Sequence, residues 1–270
     1  MIGPRKIAQA LTALALAAAF AVAACAAPAA SGPRPATPQR KSKLPDDKDP
    51  QYQYDKGVIA LRYGLPDEAI RYAQLAISLD PQHFDGWSLL GSAHYSKGEY
   101  AQAGDAYEKA LAIRPGSADI LRNLGLVYVE LKQMDKAEAA LTKAYAIKED
   151  AETAYQLGRL CYYAGRYDEA LSYALKSIQK NGQGAKAYNL KGVILNQFKR
   201  YAEAAGSFQA GLVLSPGDVN LQVNLGIALF NSGDLSKARA VFEAVLPKIQ
   251  AEDLKKQVEE YIKAIKDAGK

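Results

Sequence analysis

The sequence predicts an all-α fold: a right-handed α-solenoid of six helical hairpins over residues 50–252, closed by a capping helix over residues 253–270. Three observations predict it. A glycine returns at Gly57, Gly91, Gly125, Gly158, Gly192 and Gly226, at spacings of 34, 34, 33, 34 and 34. Twelve residues after each glycine stands an alanine: Ala69, Ala103, Ala137, Ala170, Ala204 and Ala238. Turn formers then punctuate each period. Gly64, Gly98, Gly165 and Gly233 fall midway, and Pro81, Pro115 and Pro216 fall just before the next unit. A period of this length marks stacked supersecondary units, none of which can bury its apolar face alone.

The first element is not part of the solenoid. Arg5 and Lys6 precede an apolar run from Leu11 to Ala24, which has the length of a signal-peptide core and is short for a bilayer span. The run ends at Val22-Ala23-Ala24-Cys25, which resembles the bacterial lipobox. On that resemblance residues 1–24 are a signal peptide, and Cys25 is the lipidated first residue of the mature chain. Its acyl chains would hold the protein on a membrane. Two readings stay open beside it: cleavage at an Ala-x-Ala site such as Ala21-Val22-Ala23 with release of a soluble product, or an uncleaved anchor. Ala26 and Ala27 carry no acidic residue of the kind that retains enteric lipoproteins at the inner membrane. The expected location is therefore the periplasmic face of the outer membrane.

Residues 25–49 follow as a linker, with Pro28, Pro33, Pro35, Pro38 and Pro45 among small and charged residues. As a flexible coil it spans roughly 28 Å, and roughly 78 Å if drawn out as polyproline. The formal net charge of the chain is +5. Most of it lies in these two N-terminal segments, so the chain beyond Pro50 is close to neutral. A nucleic-acid ligand, which demands a concentrated basic face, is not expected.

The repeats run 50–83, 84–117, 118–150, 151–184, 185–218 and 219–252. In each, the recurring glycine and alanine mark the closest approach of two antiparallel helices, where no large side chain fits. Leu124 with Leu141, and Phe208 and Phe242, fill the remaining seam. Lys132 and Lys199 replace the turn glycine in repeats three and five, so those turns are expected to be less relaxed. The third repeat is one residue short and lacks its closing proline, which predicts a change of geometry around Lys148-Glu149-Asp150. In the capping helix Leu254, Val258, Tyr261, Ile262 and Ile265 form one stripe, and Lys255, Lys256, Glu259, Glu260 and Lys263 form the other.

Catalytic chemistry is not expected. His94 occupies a helix-packing slot and His83 an inter-repeat loop, while Cys161 is a lone thiol beyond Cys25. No Cys/His spacing suggests zinc. The glycines of Asn181-Gly182-Gln183-Gly184 do not open a phosphate loop, and Asp168-Glu169 reads as solvated charge. No cofactor, metal or small-molecule substrate is expected.

The expectation is protein binding, in a groove lined by the first helices. Tyr54, Tyr95, Arg122, Asn123, Tyr155, Gln156, Arg159, Tyr162, Tyr163, Asn189, Asn196, Asn224, Phe230 and Asn231 fall at groove positions. Tyrosine gives wide rigid contact, amides pair with peptide backbone, and Arg122 or Arg159 can hold a carboxylate. The middle repeats gather most of these residues.

Residues 50–268 resemble the tetratricopeptide superfamily; in the second repeat Trp87, Leu90, Gly91, Tyr107, Ala110 and Pro115 all stand in its register. The carboxylate clamp of that superfamily's chaperone receptors is not reproduced, since Tyr54 and Val58 stand where Lys and Asn are expected. A signal peptide, a lipobox cysteine and six repeats together resemble the pilotin lipoproteins of type IV pilus systems. The resemblance implies a role in bringing an outer-membrane secretin to its membrane. Some pilotins bridge repeats three and four by a disulfide; here Val129 occupies the slot near Cys161's counterpart in repeat three. Similar lipoproteins serve tight-adherence pili or act as adaptors for cell-wall hydrolases, and those roles remain open at this point.

Overall fold

The structure is a computed structural model that describes residues 47–268; the signal peptide, Cys25 and most of the linker lie outside them. The described chain is all-α and divides into two compact units, one ending at Glu149 and the other beginning at Asp150. The first unit holds α1 (Pro50–Arg62), α2 (Pro66–Leu79), α3 (Phe84–Ser96), α4 (Tyr100–Ile113), α5 (Ala118–Glu130) and α6 (Met134–Ile147). The second holds α7 (Ala151–Tyr163), α8 (Tyr167–Lys180), α9 (Ala185–Gln197), α10 (Tyr201–Leu214), α11 (Val219–Ser232), α12 (Leu235–Val245) and α13 (Glu252–Ala268). Within each unit a first helix pairs with its second, and that second helix packs on the next first helix.

Local sequence sets the helix ends. Pro50 and Pro66 open α1 and α2, where a missing N–H costs nothing. Asp49, Asp150, Asp218 and Asp234 cap α1, α7, α11 and α12 through their carboxylates, each offsetting one orphan donor of the first turn. His83 does the same for α3: its Nδ1 accepts the Gly86 N–H at 2.9 Å. Each intra-hairpin turn passes through one residue of positive φ. Glycine supplies it at Gly64, Gly98, Gly165 and Gly233, and Lys132 (58°) and Lys199 (60°) adopt it in the third and fifth hairpins.

The six alanines of the repeat are fully buried, at 0% exposure. The glycines face large side chains across the seam. A Cβ on Gly192 would lie 2.5 Å from the Phe208 ring, one on Gly226 2.5 Å from the Phe242 ring, and one on Gly125 2.7 Å from Leu141. In the second unit a single buried cluster runs from Cys161 to Ile265, and in it Phe242 stacks on Tyr261 of α13 at 5.1 Å between centroids. In the first unit the buried apolar side chains form smaller groups, the largest around Tyr107 and Leu124.

The end of the second unit departs from the expected spacing. α12 stops at Val245, three residues short of the other second helices, and a short 3-10 turn at Leu246–Lys248 follows. Pro247, which has no N–H for a helical bond, accounts for the break. The cap then begins at Glu252 and buries Leu254, Val258, Tyr261, Ile262 and Ile265.

Candidate functional site

In the second unit the residues of interest project from α7, α9 and α11. Their positions follow from the seam: the glycine-bearing stripe of each first helix is buried, and the adjacent stripe carries the polar and aromatic side chains. Tyr155 and Arg159 are one turn apart on α7, with the Arg159 guanidinium 5.8 Å from the Tyr155 ring centroid. Arg159 Nη1 donates to Gln156 Oε1 at 2.9 Å, and Gln156 Nε2 donates to Glu152 Oε1 at 2.6 Å. Arg159 also hydrogen-bonds Tyr163, the next tyrosine along the helix. A half-buried guanidinium is thus set between two phenols and an amide.

Burial dominates the protonation of these phenols. It pushes Tyr155 up to about 12, with the nearby Arg159 charge opposing the shift. Burial likewise raises Tyr163, again against Arg159. Tyr162 is pushed up to about 12, mainly by burial. All three are neutral hydrogen-bonding groups at physiological pH.

Two further contacts join neighbouring repeats of this unit. Gln197 Nε2 of α9 donates to the Tyr162 hydroxyl at 3.1 Å, and Asn224 Nδ2 of α11 donates to Asn189 Oδ1 at 2.9 Å. Tyr162 and Asn224 are only 8% exposed. The sequence places both at groove positions; the structure buries them there, their polar atoms met by the adjacent repeat. They shape the face from beneath. Asn196, two turns from Asn189 on α9, has its Oδ1 buried with no hydrogen-bond partner among the described residues. Buried acceptors left in that state are rare.

The first unit carries a second polar group around Tyr107. Its hydroxyl shares a 3.0 Å hydrogen bond with Ser92 Oγ and is also bonded by Asn123. Burial pushes this phenol up to about 12, with Ser92, Asn123 and the Arg122 charge opposing. Arg122 is engaged by its own chain: Nη1 lies 3.0 Å from Asp119 Oδ1, and the side chain is 14% exposed. The sequence has Arg122 as able to hold a carboxylate; in the structure Asp119, three residues earlier, lies against it. Tyr95 packs edge-on against Tyr100 at 5.4 Å, and Tyr54 lies 6.1 Å from the His83 ring. Tyr54, Tyr95, Arg122 and Asn123 belong to this unit and the remaining candidates to the other.

His94 is half-buried and bonded through Nδ1 to Glu99 Oε2 at 2.6 Å. Lys97 reaches both Glu99 Oε1 at 2.8 Å and Asp67 at 2.7 Å. From sequence His94 is a satisfied packing residue; the structure adds its tie to the hairpin turn, for which the Glu five residues on is the signal. Cys161 is buried and, among the described residues, in no disulfide. Among the described residues no group of three or more His, Cys, Asp or Glu is placed to hold a metal ion. No helix there is long and apolar enough to cross a membrane.

Helical hairpins stacked on a 34-residue period, with polar and aromatic first-helix faces, define a repeat scaffold. Four models of the tetratricopeptide repeat match the chain, over residues 50–83, 84–150, 155–219 and 195–256. The chain belongs to the tetratricopeptide-repeat family, whose domains bind protein partners. It is 23% identical over 192 residues to the BBSome complex member BBS4 of Bos taurus, covering 71% of this chain and 37% of that protein. It is 25% identical over 162 residues to the type IV pilus assembly protein PilF of Pseudomonas aeruginosa, covering 59% of this chain and 64% of that protein. A solved structure of Pseudomonas aeruginosa PilF superposes with a TM-score of 0.71 at 18% identity, over 80% of this chain and 97% of that one. The chain spans well under half the length of the first curated relatives it matches. The fold, and the resemblance to the pilotin family, rest on these likenesses together.

Proposed function

We propose that the protein is a non-enzymatic, lipid-anchored scaffold of the bacterial envelope that assists assembly of a type IV pilus secretin, as a pilotin does. The similarity to PilF, extending over 64% of that protein, carries this reading. The N-terminal sequence supports it: a basic start, an apolar core and Cys25 in a lipobox context suit an outer-membrane lipoprotein facing the periplasm. In this reading the face around Arg159 takes a peptide segment of the partner. Its aromatic or aliphatic side chain packs on Tyr155, its carboxylate meets the Arg159 guanidinium, and a backbone N–H satisfies Asn196. A guanidinium already positioned by neighbours loses less rotamer freedom on binding, which raises affinity without new contacts.

The test is a crosslinked pull-down from envelopes, run with the wild-type chain and with Tyr155→Ala/Arg159→Ala. Secretin or pilus subunits recovered by the first and lost with the second support the proposal. Recovery of peptidoglycan hydrolases instead would assign the scaffold to cell-wall turnover. Equal recovery by both proteins would move the binding site off this face.

A further inference from the structure

Seven asparagines occur in the chain, and Asn181 alone is followed by glycine. Asn123, Asn189, Asn196, Asn220, Asn224 and Asn231 all lie within α5, α9 and α11, where the i→i−4 ladder restrains the main chain. Asn181 lies outside the helices, in the turn that joins α8 to α9, and Asn181, Gly182 and Gln183 are all exposed. The Asn181 N–H closes the last turn of α8 by donating to Ser177 O at 2.9 Å, and its Oδ1 accepts the Gln183 N–H at 3.0 Å. Between these two bonds, the Gly182 N–H has no hydrogen-bond partner among the described residues.

That arrangement suits an intramolecular reaction. The Gly182 nitrogen can attack Asn181 Cγ and close a cyclic imide. The N–Cγ bond forms, the Cγ–Nδ2 bond breaks, and the side-chain amide leaves as ammonia, taking the Gly182 N–H proton with it. Water then opens the ring at either carbonyl, adding OH to the carbon and H to the Gly182 nitrogen. Opening on one side leaves aspartate. Opening on the other leaves isoaspartate, with the main chain running through Cβ and Cγ. Ring closure requires Asn181 to turn about ψ and to release the Gln183 N–H. Gly182 makes the turn permissive, because it carries no side chain. Even an added Cβ there would meet only Ile178 O, at 3.8 Å, so no packing holds the turn in place.

We propose that Asn181 is a site of this spontaneous modification, and that the repeat already has a place for its aspartyl product. The first hairpin supplies the precedent. Asp80 ends α2 in the same slot, with φ −141° and ψ 100° against −150° and 92° for Asn181. Its Oδ1 accepts the Gln82 N–H at 2.9 Å, and its main-chain oxygen accepts the His83 N–H at 3.0 Å. Asn181 does the same for Gln183 at 3.0 Å and for Gly184 at 3.3 Å. A carboxylate therefore fits this turn without rearrangement. The isoaspartyl product has no such counterpart: it puts an extra methylene into the main chain just before α9, the helix that carries Asn189 and Asn196. Both products gain a negative charge, but only the second changes how α8 leads into α9. This chemistry does not depend on what the face around Arg159 binds.

The test incubates the full chain at mildly alkaline pH and compares its tryptic peptides, by mass spectrometry, with a zero-time sample digested alike. The mass gain of an amide-to-acid exchange should accumulate at Asn181, as separable aspartyl and isoaspartyl forms, before it appears at any other asparagine. Gly182→Ala should lose most of that gain over the same incubation. Its helical signal should match the wild type, because the added methyl makes an ordinary contact. Asn181→Asp, which carries the product from the start, should melt with the wild type. No gain at Asn181, an earlier gain at another asparagine, or an undiminished gain in Gly182→Ala would overturn the proposed site. A clearly lowered melt of Asn181→Asp would overturn the fit drawn from Asp80.

Discussion

The same substitution, glycine to alanine, should have opposite effects at two sites of one hairpin. At Gly192 in α9 an added Cβ would sit 2.5, 2.7 and 2.8 Å from three carbons of the Phe208 ring, whereas relaxed carbon contacts lie near ~3.5–4.0 Å. Phe208 is at 0% exposure, so the ring cannot swing into solvent and the seam must open by about 1 Å. Overpacking of that kind costs about 1–3 kcal/mol, against a gain of about 1 kcal/mol for replacing a mid-helix glycine. The net expectation for Gly192→Ala is a loss of up to about 2 kcal/mol. Gly206 lies on α10, two residues before Phe208, with nothing within 4 Å of an added Cβ. There only the backbone term remains, and Gly206→Ala should stabilise by about 0.5–1 kcal/mol. Urea unfolding followed by far-ultraviolet circular dichroism reads both. Truncating the ring with Phe208→Leu should rescue part of the Gly192→Ala loss, with a coupling of about 1 kcal/mol. If Gly192→Ala proves as harmless as Gly206→Ala, the close approach at this seam is not what selects glycine.

Replacing Lys199 or Lys132 by glycine should raise stability by about 0.5–1 kcal/mol, because each lysine holds a left-handed backbone that L side chains disfavour; a lowered melting temperature would refute this. Tyr107, Tyr155, Tyr162 and Tyr261, all pushed up to about 12 by burial, keep their protons in the folded state after the unfolded chain begins to lose them near 10. The stability they contribute is full below about pH 10 and is lost as pH rises towards about 12. Ultraviolet titration should show their ionisation arriving late and together with unfolding, and early reversible ionisation of every tyrosine would contradict it. The double change Tyr155→Ala/Arg159→Ala should weaken partner binding about tenfold or more, equivalent to about 1.4 kcal/mol or more, with the helical signal intact. Finally, Cys25→Ser should abolish acylation and shift the protein to the soluble fraction; a wild-type mature N-terminus found unmodified at another residue by mass spectrometry would sink the lipid anchor.

Polar pairs inside the faces explain why their composition alone misleads. Asn224 and Asn189 bond each other across a 35-residue separation, as do Gln197 and Tyr162. Such pairs cost little to bury because each desolvated group meets a partner, and they fix the spacing of neighbouring first helices. The tyrosines and amides therefore divide into those that hold the face and those that present it. Arg159 and Tyr163 are on the presenting side, where Tyr163 is 54% exposed. Asn196, with an unmatched acceptor, is the residue that a ligand donor would relieve.

The limits of the sequence as a guide follow the same line. Gly192 and Ala204 were legible because a repeat multiplies one steric demand six times, and a demand met at fixed spacing leaves a period. The positive φ at Lys132 and Lys199 was legible as well, from the place each took in a turn otherwise held by glycine. The fate of Arg122 was not. Its pairing with Asp119 depends on a rotamer choice between a neighbour three residues away and open solvent, and nothing in the period encodes it. The His83 cap was hidden because histidine is an unusual N-cap residue, so only the 2.9 Å approach of its Nδ1 to the Gly86 N–H reveals the role. The chemistry of Asn181 was hidden by the repeat itself. In sequence Asn181 belongs to one more inter-repeat turn, and it stands apart only when its exposure is set against the helices that hold the other asparagines. Periodicity thus identifies what every hairpin shares, while function rests on the positions where one hairpin meets a different environment from the rest.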